Sequence, residues 1–269
     1  MSPRAFCAAF SMRMKNNLQY RTAAYAGLTT QFFWGFMFIM IYRAFYQSGA
    51  SQSPMTLAQL TDYTWLRQAF LAVVMSWSRD NELMNMIVSG QVSYELCRPV
   101  HIYDFWYARV LAQRFAGAAL RFGPVLALAL LLPKGYGLRM PASWEAFALF
   151  VLTLLGAGAL MSAISMLIYA SIFKTMSPLG SFSVAGVLIE FFSGNILPLP
   201  FMPAWLSRIA YALPFRYVSD LPFRVWSGSI APGDAWPLFA LQLCWIAVFF
   251  LLGRFIMGRL SKKLVLQGG

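Results

Sequence analysis

The sequence predicts an all-α polytopic membrane protein, and three observations carry that prediction. Hydrophobic residues make up 59% of the 269-residue chain and charged residues only 11%, where soluble domains carry about a quarter charged. The mean hydropathy is +0.61. Apolar stretches long enough to cross a bilayer recur along the chain, with short polar segments between them.

The net charge of +12 would point to nucleic acid in a soluble protein. Here the basic residues sit beside apolar stretches, which selects anionic membrane lipid as the partner and no nucleic acid. Cys7, Cys97 and Cys244 are far apart and form no CxxC, which argues against a disulfide framework or a metal site. The single histidine, His101, cannot hold a metal alone.

Taken in order, residues 1–22 read as an N-terminal interfacial helix. Phe6, Phe10, Met14 and Leu18 recur every four residues, and Arg13, Lys15, Asn16 and Asn17 lie mostly elsewhere on the wheel. Such a helix lies in the headgroup plane, and a flexible basic tail is the plainer reading. The polar residues also break any signal-peptide pattern. Residues 23–259 read as one six-span transmembrane domain, and 260–269 as a cytoplasmic tail. The spans fall near 23–46, 56–77, 102–132, 144–173, 179–196 and 235–257. The second is weaker, with Asp62 and Arg67. The third opens with Asp104, Arg109 and Arg114 and so is expected to start below the bilayer. The fourth has small residues from Gly156 to Ala159, a composition that suits close helix approach.

Between spans two and three lies the segment the chain is arranged around, residues 78–101. Leu83, Met86 and Ile87 share one helical face, while Asn81, Glu82, Asn85 and Ser89 share the other. Asp80 and Glu82 suit the positive end of the helix dipole, Gly90 stops the helix, and Arg98-Pro99 forms a corner. One reading is a solvated loop with some helix. The sharper one is a docking element that takes force from a cytoplasmic partner, anchored by Leu83, Met86 and Ile87, with Glu82 and Glu95 facing basic groups.

Residues 197–230 carry prolines at 198, 200, 203, 214 and 222. The stretch is apolar enough to enter a membrane and too broken to cross as one helix. Broken backbone at that depth survives only inside protein or beside water. A re-entrant helical pair fits, with short helices over 204–213 and 217–225, and Trp205 and Tyr217 near the outer headgroups. An aromatic interfacial loop is the alternative.

Lys and Arg are shared unevenly. Arg4, Arg13, Lys15, Arg21, Arg79, Arg98, Arg109, Arg114, Lys174, Arg254, Arg259, Lys262 and Lys263 fall on the side of both termini. The opposite side has Lys134, Arg139, Arg208, Arg216 and Arg224. The bias predicts cytoplasmic termini and a cytoplasmic central segment.

Arg67, Arg121 and Glu190 fall near mid-membrane in spans two, three and five. A lone charge there costs about 2.5–3.5 kcal/mol on insertion scales, so the three are expected to face inward and neutralise one another. They form either a structural ion pair or a polar patch on a translocation path. No GxxxxGK[ST], GxSxG, HExxH or Ser/His/Asp set occurs, so an enzyme is not expected.

Two stretches carry a family likeness. Gly90 followed by Leu96, Arg98 and Pro99 falls within residues 90–110. Ser193-Gly194, Pro198-Leu199, Pro203-Ala204-Trp205-Leu206 and Leu213-Pro214-Phe215 fall within 191–228. On these the chain resembles the permease subunit of a type-two ABC exporter, in the branch of small bacterial six-span permeases. The resemblance implies a coupling helix between spans two and three and re-entrant helices before span six. Implied partners are cytoplasmic ATPase subunits, which carry ATP and magnesium, and a second permease copy or paralogue. The implied cargo is amphiphilic: a drug, antibiotic, lipid or glycan precursor.

The expected function is therefore that of an exporter permease in the bacterial cytoplasmic (inner) membrane, with no cofactor on this chain. The expected coupling residues are Glu82, Leu83, Met86, Ile87, Gly90, Glu95, Arg98 and Pro99. The expected exit-side residues are Pro198, Pro203, Trp205, Pro214 and Tyr217. The alternatives are a self-sufficient transporter or channel working through Arg67, Arg121 and Glu190, and a membrane scaffold.

Overall fold

The computed structural model describes residues 2–19, 21–49, 53–97 and 99–261, without the side chains of 21–24 and Leu96. Among the described residues all regular structure is helical. The α-helices are α1 (Pro3–Leu18), α2 (Arg21–Gln47), α3 (Leu57–Ala69), α4 (Leu71–Val74), α5 (Asn81–Val88) and α6 (Val92–Leu96). They continue with α7 (Ile102–Leu131), α8 (Trp144–Thr175), α9 (Pro178–Phe192), α10 (Ala204–Ala212), α11 (Asp220–Trp226) and α12 (Pro232–Ser261). Among the described residues, α7, α8 and α12 are long and apolar enough to cross a membrane, and α9 is a shorter apolar helix.

Helix α8 is the central post. It packs against α12, α11, α7 and α9, and most of its residues are buried. Its small residues explain the fit. A Cβ added at Gly156 would stand 2.6 Å from Gln242 Oε1, and one at Gly158 would stand 2.6 Å from Phe115 Cζ. Glycine therefore lets α12 and α7 approach. Gln242 uses that proximity: its Nε2 donates to the carbonyls of Thr153 and Tyr217, both at 2.9 Å.

The second predicted span does not run as one helix. The capping box of Thr56 and Gln59 starts α3, but the helix breaks at Phe70 (φ −106°, ψ 19°) and α4 is only one turn. Neither Pro nor Gly occupies residues 57–77. The break is held from outside: Arg114 of α7 donates to the Val73 carbonyl (3.2 Å), the Met75 carbonyl (2.8 Å) and Ser165 Oγ (2.8 Å). Carbonyls freed by a helix end need such donors. Arg114, read above as a cytoplasmic-side charge, is thus 1% exposed. Asp104 and Arg109 are buried too, so the polar opening of α7 is covered by the protein's own helices.

One end of the bundle gathers α1, α5, the start of α7 and the last turns of α12. Helix α1 lies along α7, with Phe6 6.4 Å from Tyr107 between ring centroids and Ala9 buried. Arg254 of α12 pairs with Asp104 at 3.5 Å. The opposite end gathers the 133–143 loop, α10 and α11. There Arg139 pairs with Asp62 at 2.6 Å, and the Trp65 indole donates to the Tyr136 carbonyl at 2.7 Å.

Candidate functional site

Among the described residues, a cavity of about 620 Å³ opens between α2, α3, α7 and α9, in the range of small-molecule sites. Gly27, Thr30, Gln31, Trp34 and Phe38 of α2 form one wall. Arg67 and Gln68 of α3, Leu71 of α4, and Trp77 form the second. Arg121 of α7, Glu190 of α9, and Asn195 and Ile196 after α9 complete it.

The three charges picked from sequence therefore share one cavity. They do not form the ion pairs expected of them. Glu190 Oε1 accepts the backbone N–H of Ser76 at 2.7 Å, just past the broken span. Arg67 donates to the Asn195 carbonyl, and its guanidinium carbon lies 4.2 Å from the Phe38 ring centroid. Arg121 has no hydrogen bond or ion pair among the described residues, and its Nε is buried without a partner. Gly27 makes room for it: a Cβ there would be 3.3 Å from Arg121 Cζ. Arg67 and Glu190 thus bond to backbone and make no direct ion pair among the described residues, while their opposite charges still act on each other across the cavity.

Around Asn195 the proline-rich stretch joins this wall. Asn195 Oδ1 accepts from Ser219 Oγ at 2.8 Å, while its Nδ2 is buried and unpartnered. Gly194 adopts φ +85° and its carbonyl accepts the Tyr63 hydroxyl at 2.9 Å. A side chain there would be strained in backbone and would meet that hydroxyl at 2.7 Å. The prolines act as read. Pro198 precedes a short 3-10 turn, Pro203 (φ −51°) precedes α10, and Pro214 opens a second 3-10 turn that ends at Tyr217. The second short helix starts at Asp220, three residues later than the sequence suggests. Trp205 is exposed as expected, but Tyr217 is 3% exposed and belongs to the core.

The central segment forms the predicted helix, α5. Asp80 caps it, with Oδ1 accepting from the N–H groups of Glu82 and Leu83 at 3.1 and 3.2 Å. Gly90 follows it at φ +75°, a conformation that glycine adopts without strain. The docking face needs correction. Leu83 is fully buried and Ile87 is 4% exposed, because α5 lies on α8. Met86 is half-buried against the core. An apolar face at helical spacing is spent on the protein's own helix α8, so Leu83 and Ile87 are not free anchors. The exposed part of the segment includes Asn81, Glu82, Asn85, Val88, Ser89, Gly90, Gln91, Tyr94 and Cys97. Glu95 is half-buried and Pro99 exposed; Arg98 lies outside the described residues.

Glu82 also faces inward charge. Arg109 donates to both Asp80 and Glu82, and Arg13 of α1 reaches Glu82 at 3.3 Å. The Arg109 hydrogen bond holds the Glu82 carboxyl below its ordinary range. Asp80, Arg109 and Arg13 escaped the sequence reading as a set. Their partners are 29 and 69 residues apart, and only the folded bundle brings them together. Tyr169 of α8 adds a tie: its hydroxyl accepts the Asp80 N–H at 2.7 Å.

Comparison with protein-family models, curated proteins and solved structures returns no match to this chain.

Proposed function

We propose that the chain is the permease subunit of an ATP-driven exporter in a bacterial cytoplasmic membrane. It would work with cytoplasmic ATPase subunits, which carry the ATP and magnesium, and a second permease. Its six spans would be α2, the broken α3–α4, α7, α8, α9 with the re-entrant stretch, and α12, with α1 at the interface and both termini in the cytoplasm. The cargo would be an amphiphile that enters the cavity.

One observation carries this reading: a short tied path joins the exposed helix to the cavity wall. Helix α5 is fixed to α8 through Leu83 and Ile87 and to α7 through Arg109. The preceding residues are held at each step, with Asp80 on Tyr169, Ser76 on Glu190 and Met75 on Arg114. Glu190 lines the cavity. A push on the exposed face of α5 would therefore move residues 75–80 against Glu190 and the cavity. Coupling of this kind needs packed elements with discrete arrangements, not distance alone.

The test is retention of an ATPase. The purified permease with Val88→Asp, a change on exposed surface, should keep its melting temperature and lose ATPase co-purification and cargo transport. Normal ATPase recovery and transport in that variant would overturn the proposal. A free-standing transporter is the second reading, favoured by three ionisable groups around one cavity. It predicts ion-driven flux from the purified chain alone.

A further inference from the structure

The cavity carries more positive charge than it neutralises. Its ionisable lining groups are Arg67, Arg121 and Glu190. Glu190 is occupied by the Ser76 N–H and Arg67 by the Asn195 carbonyl. Arg121 is left without a hydrogen bond or ion pair among the described residues, and its Nε is buried. Two further buried polar atoms on the lining lack partners, Asn195 Nδ2 and Gln31 Oε1. Native proteins rarely leave buried polar groups unsatisfied, and those they do leave often await a ligand, water or ion. The remaining lining is apolar and aromatic: Trp34, Phe38, Leu71, Trp77 and Ile196.

We propose that this cavity binds an acidic amphiphile, its phosphate or carboxylate headgroup on Arg121 and its apolar chain along Trp34, Trp77, Leu71 and Ile196. This rests on the exporter reading above and names the cargo class of that same cavity. Three features select the class. Guanidinium presents planar paired donors that match phosphate and carboxylate. A cationic amphiphile would face two arginines against one carboxylate already in use. A free anion without a tail would leave the aromatic wall unused, and aromatic and aliphatic burial is where pocket affinity for an amphiphile arises.

The probe is dodecyl phosphate, with dodecyltrimethylammonium as the cationic counterpart of equal chain length. Binding is measured by equilibrium methods on the purified full chain in phosphatidylcholine nanodiscs, with no ATPase present. The unmodified chain should bind dodecyl phosphate at least tenfold more tightly than the cation. Arg121→Gln should weaken dodecyl phosphate at least tenfold and leave the cation unchanged, while Arg121→Lys should retain most of the affinity. Equal binding of anion and cation by the unmodified chain overturns the proposal, and that comparison needs no variant. Equal affinity in Arg121→Gln, checked to melt as the parent does, also overturns it. Displacement by inorganic phosphate at matched concentration overturns the amphiphile part. Phosphatidylglycerol added to the nanodisc separates the sources. Displacement assigns the site to acidic bilayer lipid, lack of displacement to another acidic amphiphile, and either supports the proposal. A chain that discriminates charge but retains no ATPase refutes the exporter reading alone. One that retains an ATPase and does not discriminate refutes this inference alone.

Discussion

Glu190 on α9 accepts the backbone N–H of Ser76 at 2.7 Å, across 114 residues of chain. The contact ties the end of the broken α3–α4 helix to the wall of the cavity. It also gives Glu190 a role beside its charge, that of a backbone acceptor.

That role predicts the behaviour of Glu190 variants. Glu190→Ala leaves the buried Ser76 N–H unpaired, at a cost of about 1–3 kcal/mol. Glu190→Gln keeps a carbonyl oxygen in place and should lose much less. Removing Arg121 as well should add its own small effect and restore nothing. Melting in detergent of the single and double variants measures this. A double variant more stable than Glu190→Ala would reinstate the ion-pair reading.

How much of this was legible in the sequence depends on the range of the interaction. The helix at Asn81–Val88, its stop at Gly90 and the proline-led turns at 198, 203 and 214 follow from local chemistry, and each forms where residue type places it. The break at Phe70 does not. No residue in 57–77 forbids a continuous helix; the backbone just after the break, at residues 73–76, is held by Arg114 and Glu190 from other helices. The face of α5 shows the same limit. Its amphipathic pattern says that Leu83 and Ile87 are buried, and says nothing about what buries them. The polar residues at 67, 121 and 190 were legible as a set facing inward, but their hydrogen-bond partners were not, because backbone groups leave no trace in side-chain pattern.

The α5 packing makes a second prediction. Leu83→Ala and Ile87→Ala empty sites that are buried against α8. Each should destabilise the protein by about 2–5 kcal/mol. Val88→Ala is at an exposed position and should stay within about 0.5 kcal/mol. The melting temperature in detergent separates the two groups. Equal, small effects at all three positions would mean that α5 does not sit on α8 as described.

The charge cluster below α5 predicts a pH dependence. The Arg109 hydrogen bond depresses the Glu82 carboxyl, followed in influence by the charges of Arg109 and Arg13. A carboxyl lowered in the folded state contributes stability above its unfolded value, about 4.3. That contribution is lost as pH falls through the folded value. Glu82 is 60% exposed at its side chain, so solvent screens the effect and it should be modest. The parent should therefore lose stability between about pH 5 and pH 3, and Glu82→Gln should lose less over the same window. Identical pH profiles for the two would show that Glu82 is not held by Arg109.

Topology gives the last prediction, because it tests the orientation on which the exporter reading depends. Position 208 on α10 is exposed and lies in the proline-rich stretch, whereas Ser219 in the same stretch is fully buried. Position 85 on α5 is exposed at the end of the bundle that gathers α1 and the last turns of α12. Cys7, Cys97 and Cys244 are exposed, so single-cysteine variants start from a chain with those three replaced by serine. Cells carrying Arg208→Cys should react with a membrane-impermeant maleimide added outside, while Ser219→Cys should stay protected. Asn85→Cys should react only after the membrane is opened if that end is cytoplasmic, as the lysine and arginine bias predicts. Reversal of the 208 and 85 results would place α5 outside the cell, beyond the reach of any ATP-hydrolysing partner, and would remove the exporter reading whatever the cavity binds.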